Sequence, residues 1–247
     1  MNVILKHIWR YPIKSHGREE LLEVYLSKNA TLPYDRCWAV AHKDSKADND
    51  SWTDCVNFSR GAKAPKLMAI NASLDISNEQ VTLSHPELEN IVLHPENNSD
   101  ELINWVSPLM PSNRSQSERV VRVAGRGMTD TDYPSVSINS ISSHQAVENK
   151  LGHHLDSRRW RGNLWFEGGK PWEEFDWVGK TIVIGDCEIE IQEPIQRCLA
   201  TTANPETGDR DIDTLSALKT LGHQDFGVYG RIVKSSKVEI GDRVSVL

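Results

Sequence analysis

Short apolar stretches separated by turn residues recur along the whole chain, and their spacing restricts its fold more than any other feature. In the first part of the chain they lie at residues 3–9, 21–26, 34–41, 67–74, 81–84 and 91–94. Later stretches lie at residues 120–123, 135–138, 164–166, 180–184, 187–192, 227–233 and 237–246. Many short strands at close intervals are typical of barrels and sandwiches. The sequence therefore predicts a mainly β protein whose first part forms a small antiparallel barrel or sandwich.

Three segments carry helical signals and lie at residues 101–109, 140–151 and 215–221. Ser99 is the predicted N-cap of the first helix, and Ser142 or Ser143 that of the second. Gly152 and Gly222 are predicted to end the second and third helices, since glycine accepts the left-handed conformation found there. The expected fold class is accordingly α+β, mainly β with a few helices.

The polar segment at residues 111–118 has no apolar anchor and resembles a linker. A chain of 247 residues is long enough for one large core or two small ones. We therefore expect two domains, residues 1–111 and residues 112–247.

Charge limits the classes of partner. The chain carries 28 Lys and Arg against 35 Asp and Glu, a formal net charge of −7. A general binder of nucleic acid or of a membrane surface needs a basic face, so we expect neither. A small anionic ligand stays compatible, because a few clustered Arg and Lys side chains can hold a phosphate. No apolar run approaches the roughly 20 residues that a membrane helix needs.

Cysteine usage and the N-terminus indicate the compartment. Residues 1–7 lack the pattern of a signal peptide. Cys37, Cys55, Cys187 and Cys198 are widely spaced and form no C-x-x-C pair, so neither a zinc ribbon nor an iron–sulfur motif is indicated. We expect a cytoplasmic protein with reduced thiols.

One cysteine lies in a suggestive segment. Cys198 follows the predicted strand 187–192 and is flanked by Arg197, Thr201 and Thr202. A neighbouring cation favours the thiolate, which is the nucleophilic and metal-binding form of cysteine. On local chemistry alone, a buried cysteine acting as a small apolar residue is the more common arrangement.

Several cations stand where strands end or begin. Lys14 and Ser15 follow the first strand, and Arg36 opens an apolar run as an edge-strand charge or an anion clamp. Residues 59–66 carry three cations and no acid, and residues 158–163 form the densest basic cluster. Such runs are commonly solvated loops, although the second favours a local anion pocket.

Two other groups of candidate metal ligands are weak. The acids of loop 126–134 are spaced like ligands of a hard cation, yet the loop lacks the glycine and terminal Glu of a calcium loop. His153 and His154 follow a helix end without a third ligand at metal spacing, which predicts surface residues.

Taken together and in order, six motifs resemble one family. They are YPIKS at 11–15, DRCW at 35–38, WRGN at 160–163, RCLATT at 197–202 with PETG at 205–208, FGVY at 226–229 and IGDRV at 240–244. The pattern is similar to the MOSC family, named for the molybdenum cofactor sulfurase C-terminal domain. It resembles the form with an N-terminal β-barrel, as in the mitochondrial amidoxime-reducing component and its bacterial relatives.

The resemblance implies an N-terminal β-barrel domain packed on a MOSC β-barrel domain, with a molybdenum–molybdopterin cofactor between them. It implies that Cys198 is the catalytic residue and ligates molybdenum directly. A thiolate is a soft ligand suited to this metal. The cofactor-binding residues it implies are Lys14, Ser15, Arg36, Arg161, Asn163, Arg197, Thr201 and Tyr229. Pyridoxal phosphate binding is a further property attached to the family as a whole.

The activity implied is an oxidoreductase that removes oxygen from small N-hydroxylated compounds, such as N-hydroxylated bases and amidoximes. We expect no cysteine-rich domain after Leu247. Electrons are therefore expected from a separate ferredoxin-like protein, flavoprotein or cytochrome b5-like protein. The alternatives are a non-catalytic carrier of the cofactor, a sulfur carrier with a persulfide on Cys198, and a scaffold that has lost the cofactor.

Two positions depart from the family pattern. Gly162 stands where relatives commonly have proline, which is expected to loosen its loop without removing donors. His16 follows the Lys-Ser pair where the amidoxime reducers have a small residue.

Overall fold

The computed structural model describes residues 3–247. Its strands are β1 (Val3–Arg10), β2 (Glu19–Leu21), β3 (Glu23–Leu26), β4 (Ala39–His42), β5 (Asn71–Asp75), β6 (Gln80–His85), β7 (Leu88–Leu93), β8 (Ser117–Val121), β9 (Val136–Ser140), β10 (Leu164–Glu167), β11 (Thr181–Ile184), β12 (Cys187–Gln196), β13 (Asp225–Lys234), β14 (Ser236–Glu239) and β15 (Arg243–Val246). Its α-helices are α1 (Ser99–Val106), α2 (Ile141–Leu151) and α3 (Thr214–Thr220). The predicted fold class, mainly β with a few helices, is confirmed.

A closed barrel of seven strands forms the larger unit. Its strands follow the order β1-β10-β9-β13-β12-β11-β15, and β15 pairs back with β1. Apolar residues alternate along these strands, so that Cys187, Ile189 and Ile191 of β12 point into the core. Closure leaves no unpaired edge between these strands.

The N-terminal residues build a second β unit around a separate core. Strands β5, β6 and β7 form one antiparallel sheet, and β4 pairs with β8. Trp38 is fully buried in this core, which α1 covers through Leu102 and Val106. Burial of these large apolar side chains supplies most of the stability of such a small unit.

The two units do not follow the chain in simple order. Strand β1 is the first in the chain, yet it closes the C-terminal barrel. Strand β8 begins at Ser117, near the end of the linker-like segment 111–118, yet it pairs with β4, with Ala39 opposite Val121. The division at residues 111 and 112 stays a prediction, and the hydrogen-bonded pairing crosses it in both directions.

Three helices occur near their predicted positions, with some different caps. Helix α2 ends at Gly152, whose φ of 75° is left-handed as expected. Its N-cap is Ser140, which accepts from the Ser143 amide, instead of Ser142 or Ser143. Ser99 lies inside α1 and accepts from the Val120 amide at 3.0 Å. None of the helices in residues 3–247 combines the length and apolar composition that a membrane crossing requires.

Some predicted strands are shorter or broken. Only residues 39–41 of the stretch 34–41 belong to a strand, β4, because Tyr34 and Arg36 have φ values of 59° and 53° that no strand contains. The first half of 67–74 belongs to a 3₁₀ helix, Pro65–Ala69. A turn separates β14 from β15, and Leu22 separates β2 from β3.

Candidate functional site

A cavity of about 740 Å³ lies between the two units and contains residues from both. Of the predicted site residues, those that line it are Lys14, Ser15, Arg36, Arg161, Arg197, Cys198, Thr201 and Tyr229. They come from segments that are far apart in sequence, so the fold itself assembles the site. The volume is in the range of small-molecule and cofactor sites.

Three of these residues have an unusual backbone. Ser15, Arg36 and Arg161 are not glycines, yet their φ values are 63°, 53° and 50°. The left-handed conformation costs an L-residue roughly 1 kcal/mol or more, and such residues cluster at functional sites. Main-chain bonds hold two of them, since the Arg36 amide donates to the Tyr11 carbonyl at 2.6 Å and the Arg161 amide to the Arg158 carbonyl at 3.2 Å.

Tyr11 positions two of the arginines. The centroid of its fully buried ring is 4.6 Å from the guanidinium carbon of Arg36 and 4.2 Å from that of Arg161. Its hydroxyl donates to the Gly162 carbonyl at 3.1 Å, and burial raises the pKa of Tyr11 to about 12. The ring therefore attracts both cations, which helps to hold two like charges in one wall.

Arg161 is incompletely satisfied by the protein. Its Nη2 donates to the Gly17 carbonyl at 3.2 Å, whereas its buried Nη1 has no partner within residues 3–247. Burial lowers the pKa of Arg161 to about 9, so burial opposes its charge. A buried donor left without a partner is costly, and an anion in the cavity relieves that cost.

Lys14 supplies an ammonium group to the same wall. Its Nζ donates to the Met128 carbonyl at 2.6 Å and to Asp130 Oδ1 at 2.5 Å. Burial acts to raise the pKa of Asp130, but Lys14 and Arg36 outweigh it and lower that pKa. Arg36 is held in turn by an ion pair with the buried Asp35 and by a bond from its Nη2 to the Arg161 carbonyl at 2.9 Å.

Cys198 lies at the end of β12, immediately before a 3₁₀ helix at Leu199–Thr202. It is an exposed cysteine and lines the cavity. Thr201 Oγ1 donates to the Cys198 carbonyl at 3.0 Å, and Thr202 Oγ1 donates to the Leu199 carbonyl at 2.8 Å. The two threonines thus brace the loop that presents the thiol.

Arg197 and Tyr229 contribute differently from the other predicted residues. Arg197 is buried and donates to the carbonyls of Trp160 at 2.7 Å and Phe226 at 2.9 Å, and to Asn139 Oδ1 at 3.1 Å. Its guanidinium therefore ties the cysteine loop to the core. Tyr229 retains its proton, because burial raises the pKa of its hydroxyl.

Asn163 does not lie with the others. It is buried in the barrel wall, where its Oδ1 accepts from the Ser137 amide at 3.2 Å and its Nδ2 donates to the Trp9 carbonyl at 3.1 Å. It joins β9 to β1 and anchors the loop that carries Arg161. Asn163 therefore contributes to the site only by positioning the loop of Arg161.

Some residues that line the cavity were not predicted as site residues from the sequence. They include Trp52, Cys55, Arg60, Asp130, Arg159 and Glu193. Arg60 lies in the basic run 59–66 and Asp130 in the acidic loop 126–134, so both had a sequence signal. Cys55, which no sequence motif marks, shares the cavity with Cys198 and accepts from Arg60 Nη1 at 2.9 Å. Burial raises the pKa of the Cys55 thiol.

One carboxylate–histidine cluster lies elsewhere and is already neutralised. Glu79, His94 and Glu96 place their ligand atoms within 4.8 Å of one another. Arg122 Nη1 contacts Glu79 at 2.8 Å and Glu96 at 2.9 Å. A guanidinium at this position makes the cluster an ion-pair network instead of a cation site.

The fold and the cavity define a class: a two-unit β protein whose cleft combines one exposed thiol with a cationic wall suited to a polyanion. Family models assign that class. The model of the MOSC N-terminal beta barrel domain matches residues 2–123, and the model of the MOSC domain matches residues 128–245. The chain belongs to the MOSC family, in the form that has the N-terminal barrel.

Similar proteins include reductase components and sulfurases. The chain is 22% identical to mitochondrial amidoxime-reducing component 1 of Mus musculus, over 91% of this chain and 74% of that protein. It is 24% identical to mitochondrial amidoxime reducing component 2 of Rattus norvegicus, over 96% of this chain and 81% of that protein. It is 23% identical to molybdenum cofactor sulfurase 2 of Culex quinquefasciatus, over 94% of this chain but only 34% of the sulfurase.

Among solved structures, the YuaD protein from Bacillus subtilis aligns with a TM-score of 0.47 and 12% identity, covering 100% of this chain and 96% of that one.

Proposed function

We propose that this protein is a molybdenum-cofactor-dependent reductase of small N-hydroxylated compounds that acts in the cytoplasm with electrons from a separate redox protein. One observation carries the proposal. The exposed thiol of Cys198 and the buried, unpartnered Nη1 of Arg161 belong to the same cavity. The first suits a soft metal and the second an anion, and the molybdenum–molybdopterin cofactor has both features.

The donor set of the cavity fits this cofactor. Lys14, Ser15, Arg36 and Arg161 would hold the pterin and its phosphate, and Cys198 would ligate molybdenum. Arginine offers planar, two-pronged contacts and lysine a compact charge, which together suit a ligand with several anionic groups. When bound, the cofactor would supply two-electron oxygen-atom removal from the substrate.

The residues of the chain prepare this cavity in three ways. Tyr11 and Asp35 fix the guanidinium of Arg36 before any ligand arrives, so little ordering is needed on binding. Arg197 and Thr201 hold the cysteine loop rigid. Tyr229 keeps a protonated hydroxyl on the cavity wall at neutral pH, where it is a hydrogen-bond donor.

Turnover with a chemical reductant tests the proposal without the unknown electron donor. Protein from a molybdenum-replete host is incubated with a hydroxylaminopurine or an amidoxime and a reduced dye, and formation of the amino product is followed. We expect turnover by the wild type, at least about a hundredfold less by Cys198→Ala, and a smaller change for Cys55→Ala, the other cysteine of the cavity. Molybdenum-loaded wild-type protein that turns over neither substrate would contradict the reductase.

A carrier of the cofactor or of sulfur is the second candidate. The exposure of Cys198 favours it, because a persulfide must reach an acceptor, and a relative over 94% of the chain is named a molybdenum cofactor sulfurase. Cyanide treatment distinguishes a sulfur carrier from the reductase. Release of thiocyanate from the wild type, absent in Cys198→Ala, together with no N-hydroxy turnover, would establish the sulfur carrier.

A further inference from the structure

A second, smaller cavity of about 170 Å³ lies beside the first, where β4 ends and β8 begins. Its charged wall consists of Arg60, Lys63 and Arg114, and Ser115 adds a hydroxyl. No Asp or Glu of the described chain lines it. A pocket with three cations and no acid is unusual in a protein whose net charge is −7.

The three cations lack ionic partners. Within residues 3–247, none of Arg60, Lys63 and Arg114 has a carboxylate at ion-pair distance. The described contact of the Arg60 guanidinium is its bond to Cys55 Sγ at 2.9 Å, which leaves its remaining N–H groups free for another acceptor.

Ser115 supplies an independent sign of a ligand. Its Oγ is buried and has no hydrogen-bond partner among the described residues. Solvated surface cations are common and carry no such sign, but a buried hydroxyl without a partner is rare in folded proteins and points to an absent acceptor or donor. Ser115 lies on the wall of this pocket, where the surrounding cations favour an anion as the partner.

We propose that this pocket binds a small tetrahedral oxyanion, such as inorganic phosphate or sulfate. Arg60 and Arg114 offer planar donor pairs, Lys63 a mobile ammonium and Ser115 a hydroxyl, a combination that suits four oxygens around one centre. The site is distinct from the main cavity and does not depend on the reductase activity.

Arg60 couples the two cavities, because it lines both of them. An oxyanion that engages Arg60 from the second pocket offsets part of its charge on the side of the main cavity. Occupancy therefore weakens the binding of anions in the main cavity, and by linkage an anion there weakens phosphate binding here by the same factor.

Calorimetric titration with inorganic phosphate, on cofactor-free protein at low ionic strength, tests the site. Lys63→Gln/Arg114→Gln removes two of its cations, and both side chains are exposed, so folding is preserved. Lys150→Gln/Lys219→Gln is the matched control, since it makes the same charge change at exposed positions of α2 and α3. Lys14→Gln changes only the main cavity.

We expect the wild type and the Lys150/Lys219 control to bind phosphate with similar affinity, and Lys14→Gln to keep the binding by the second pocket while losing anion affinity in the main cavity. Lys63→Gln/Arg114→Gln weakens binding by about tenfold or more, and Ser115→Ala weakens it by about two- to tenfold. Three results overturn the proposal: no binding of phosphate by the wild type, equal binding by Lys63→Gln/Arg114→Gln, or loss of all binding in Lys14→Gln, which would place the anion in the main cavity.

Discussion

Without a ligand in the cavity, Arg161 lowers the stability of the folded chain. Its backbone is left-handed, its Nη1 is buried without a partner, and burial lowers its pKa to about 9. Residues that bind ligands commonly carry such costs, which their replacement relieves.

Arg161→Gln therefore separates ligand binding from stability. We expect the cofactor-free variant to unfold at the same or a higher temperature than cofactor-free wild type. Expressed in a molybdenum-replete host, the variant should contain at least about tenfold less molybdenum than the wild type. Calorimetric melting and elemental analysis measure the two effects. A variant that melts earlier and keeps its molybdenum would show that Arg161 serves the fold alone.

Glu174, which does not line the cavity, makes the stability of the folded barrel depend on pH. Its side chain is fully buried, Oε2 accepts from Ser143 Oγ at 2.8 Å, and Oε1 has no partner among the described residues. Burial raises the pKa of Glu174 from 4.5 to about 7. The folded state thus holds its proton longer than the unfolded state, so stability falls as pH rises from about 4.5 through 7.

Glu174→Gln removes this dependence. We expect the variant to be more stable than the wild type by roughly 1–3 kcal/mol at about pH 8, with a smaller difference at about pH 5. Urea denaturation at both pH values measures it, with Asp176→Asn as an exposed control on the same 3₁₀ helix. An unchanged difference between the two pH values would refute the role of Glu174.

At the scale of elements, the loop between Trp160 and Asn163 connects the cavity to the core. A Cβ on Gly162 would lie 1.9 Å from Asn139 Nδ2. Asn139 Oδ1 accepts from Arg197, which holds the cysteine loop. The Gly162 carbonyl also accepts from Tyr11 and Trp165, so it is a fixed point of the loop.

Gly162→Ala should displace Asn139 and with it Arg197. We expect a loss of roughly 1–3 kcal/mol in the free energy of unfolding, as for other overpacked sites. Gly152→Asn is the control, because it lies at a helix C-cap with open space around its Cα, and asparagine tolerates that conformation. Equal stability of Gly162→Ala and wild type would mean that Asn139 moves freely.

Strands in which apolar and polar residues alternate strictly were predictable from sequence. The predicted stretches 180–184 and 187–192 occur as β11 and β12, which pair with Ile184 opposite Cys187. The stretch 34–41 was not predictable, because its first residues are fixed by distant partners: the Asp35 side chain accepts from the Tyr11 amide, 24 residues away. No local pattern reports a contact of that kind.

The site was predictable where a motif marks a residue and its loop faces the cleft, as for Lys14, Arg36 and Cys198. Asn163 shows the limit, since it lies only two residues from Arg161 in the same motif, yet it is buried and does not line the cavity. Trp52 and Cys55 lie after a polar loop with no distinctive pattern and were visible only in the fold.

At the scale of the whole molecule, β1 joins the two ends of the chain. It supplies Leu5 and Ile8 to the core of the barrel and pairs with both β10 and β15. Without it the barrel has two open edges and a gap in its core, and such edges promote association.

Residues 124–247 alone should therefore lack a cooperative unfolding transition. Appending residues 3–10 after Leu247 should restore cooperativity, because β15 runs antiparallel to β1 and Val244 lies opposite Val3. Circular dichroism during denaturation measures both proteins. Cooperative unfolding of residues 124–247 by themselves would show that β1 is dispensable.

The central claim is that Cys198 and the cationic wall hold molybdenum, and the molybdenum content of purified protein tests it most directly. Wild type and Cys55→Ala, expressed in a molybdenum-replete host, should contain molybdenum at close to one atom per chain. Cys198→Ala should contain at least about tenfold less. Absence of molybdenum from the wild type, or equal content in Cys198→Ala, would contradict the account.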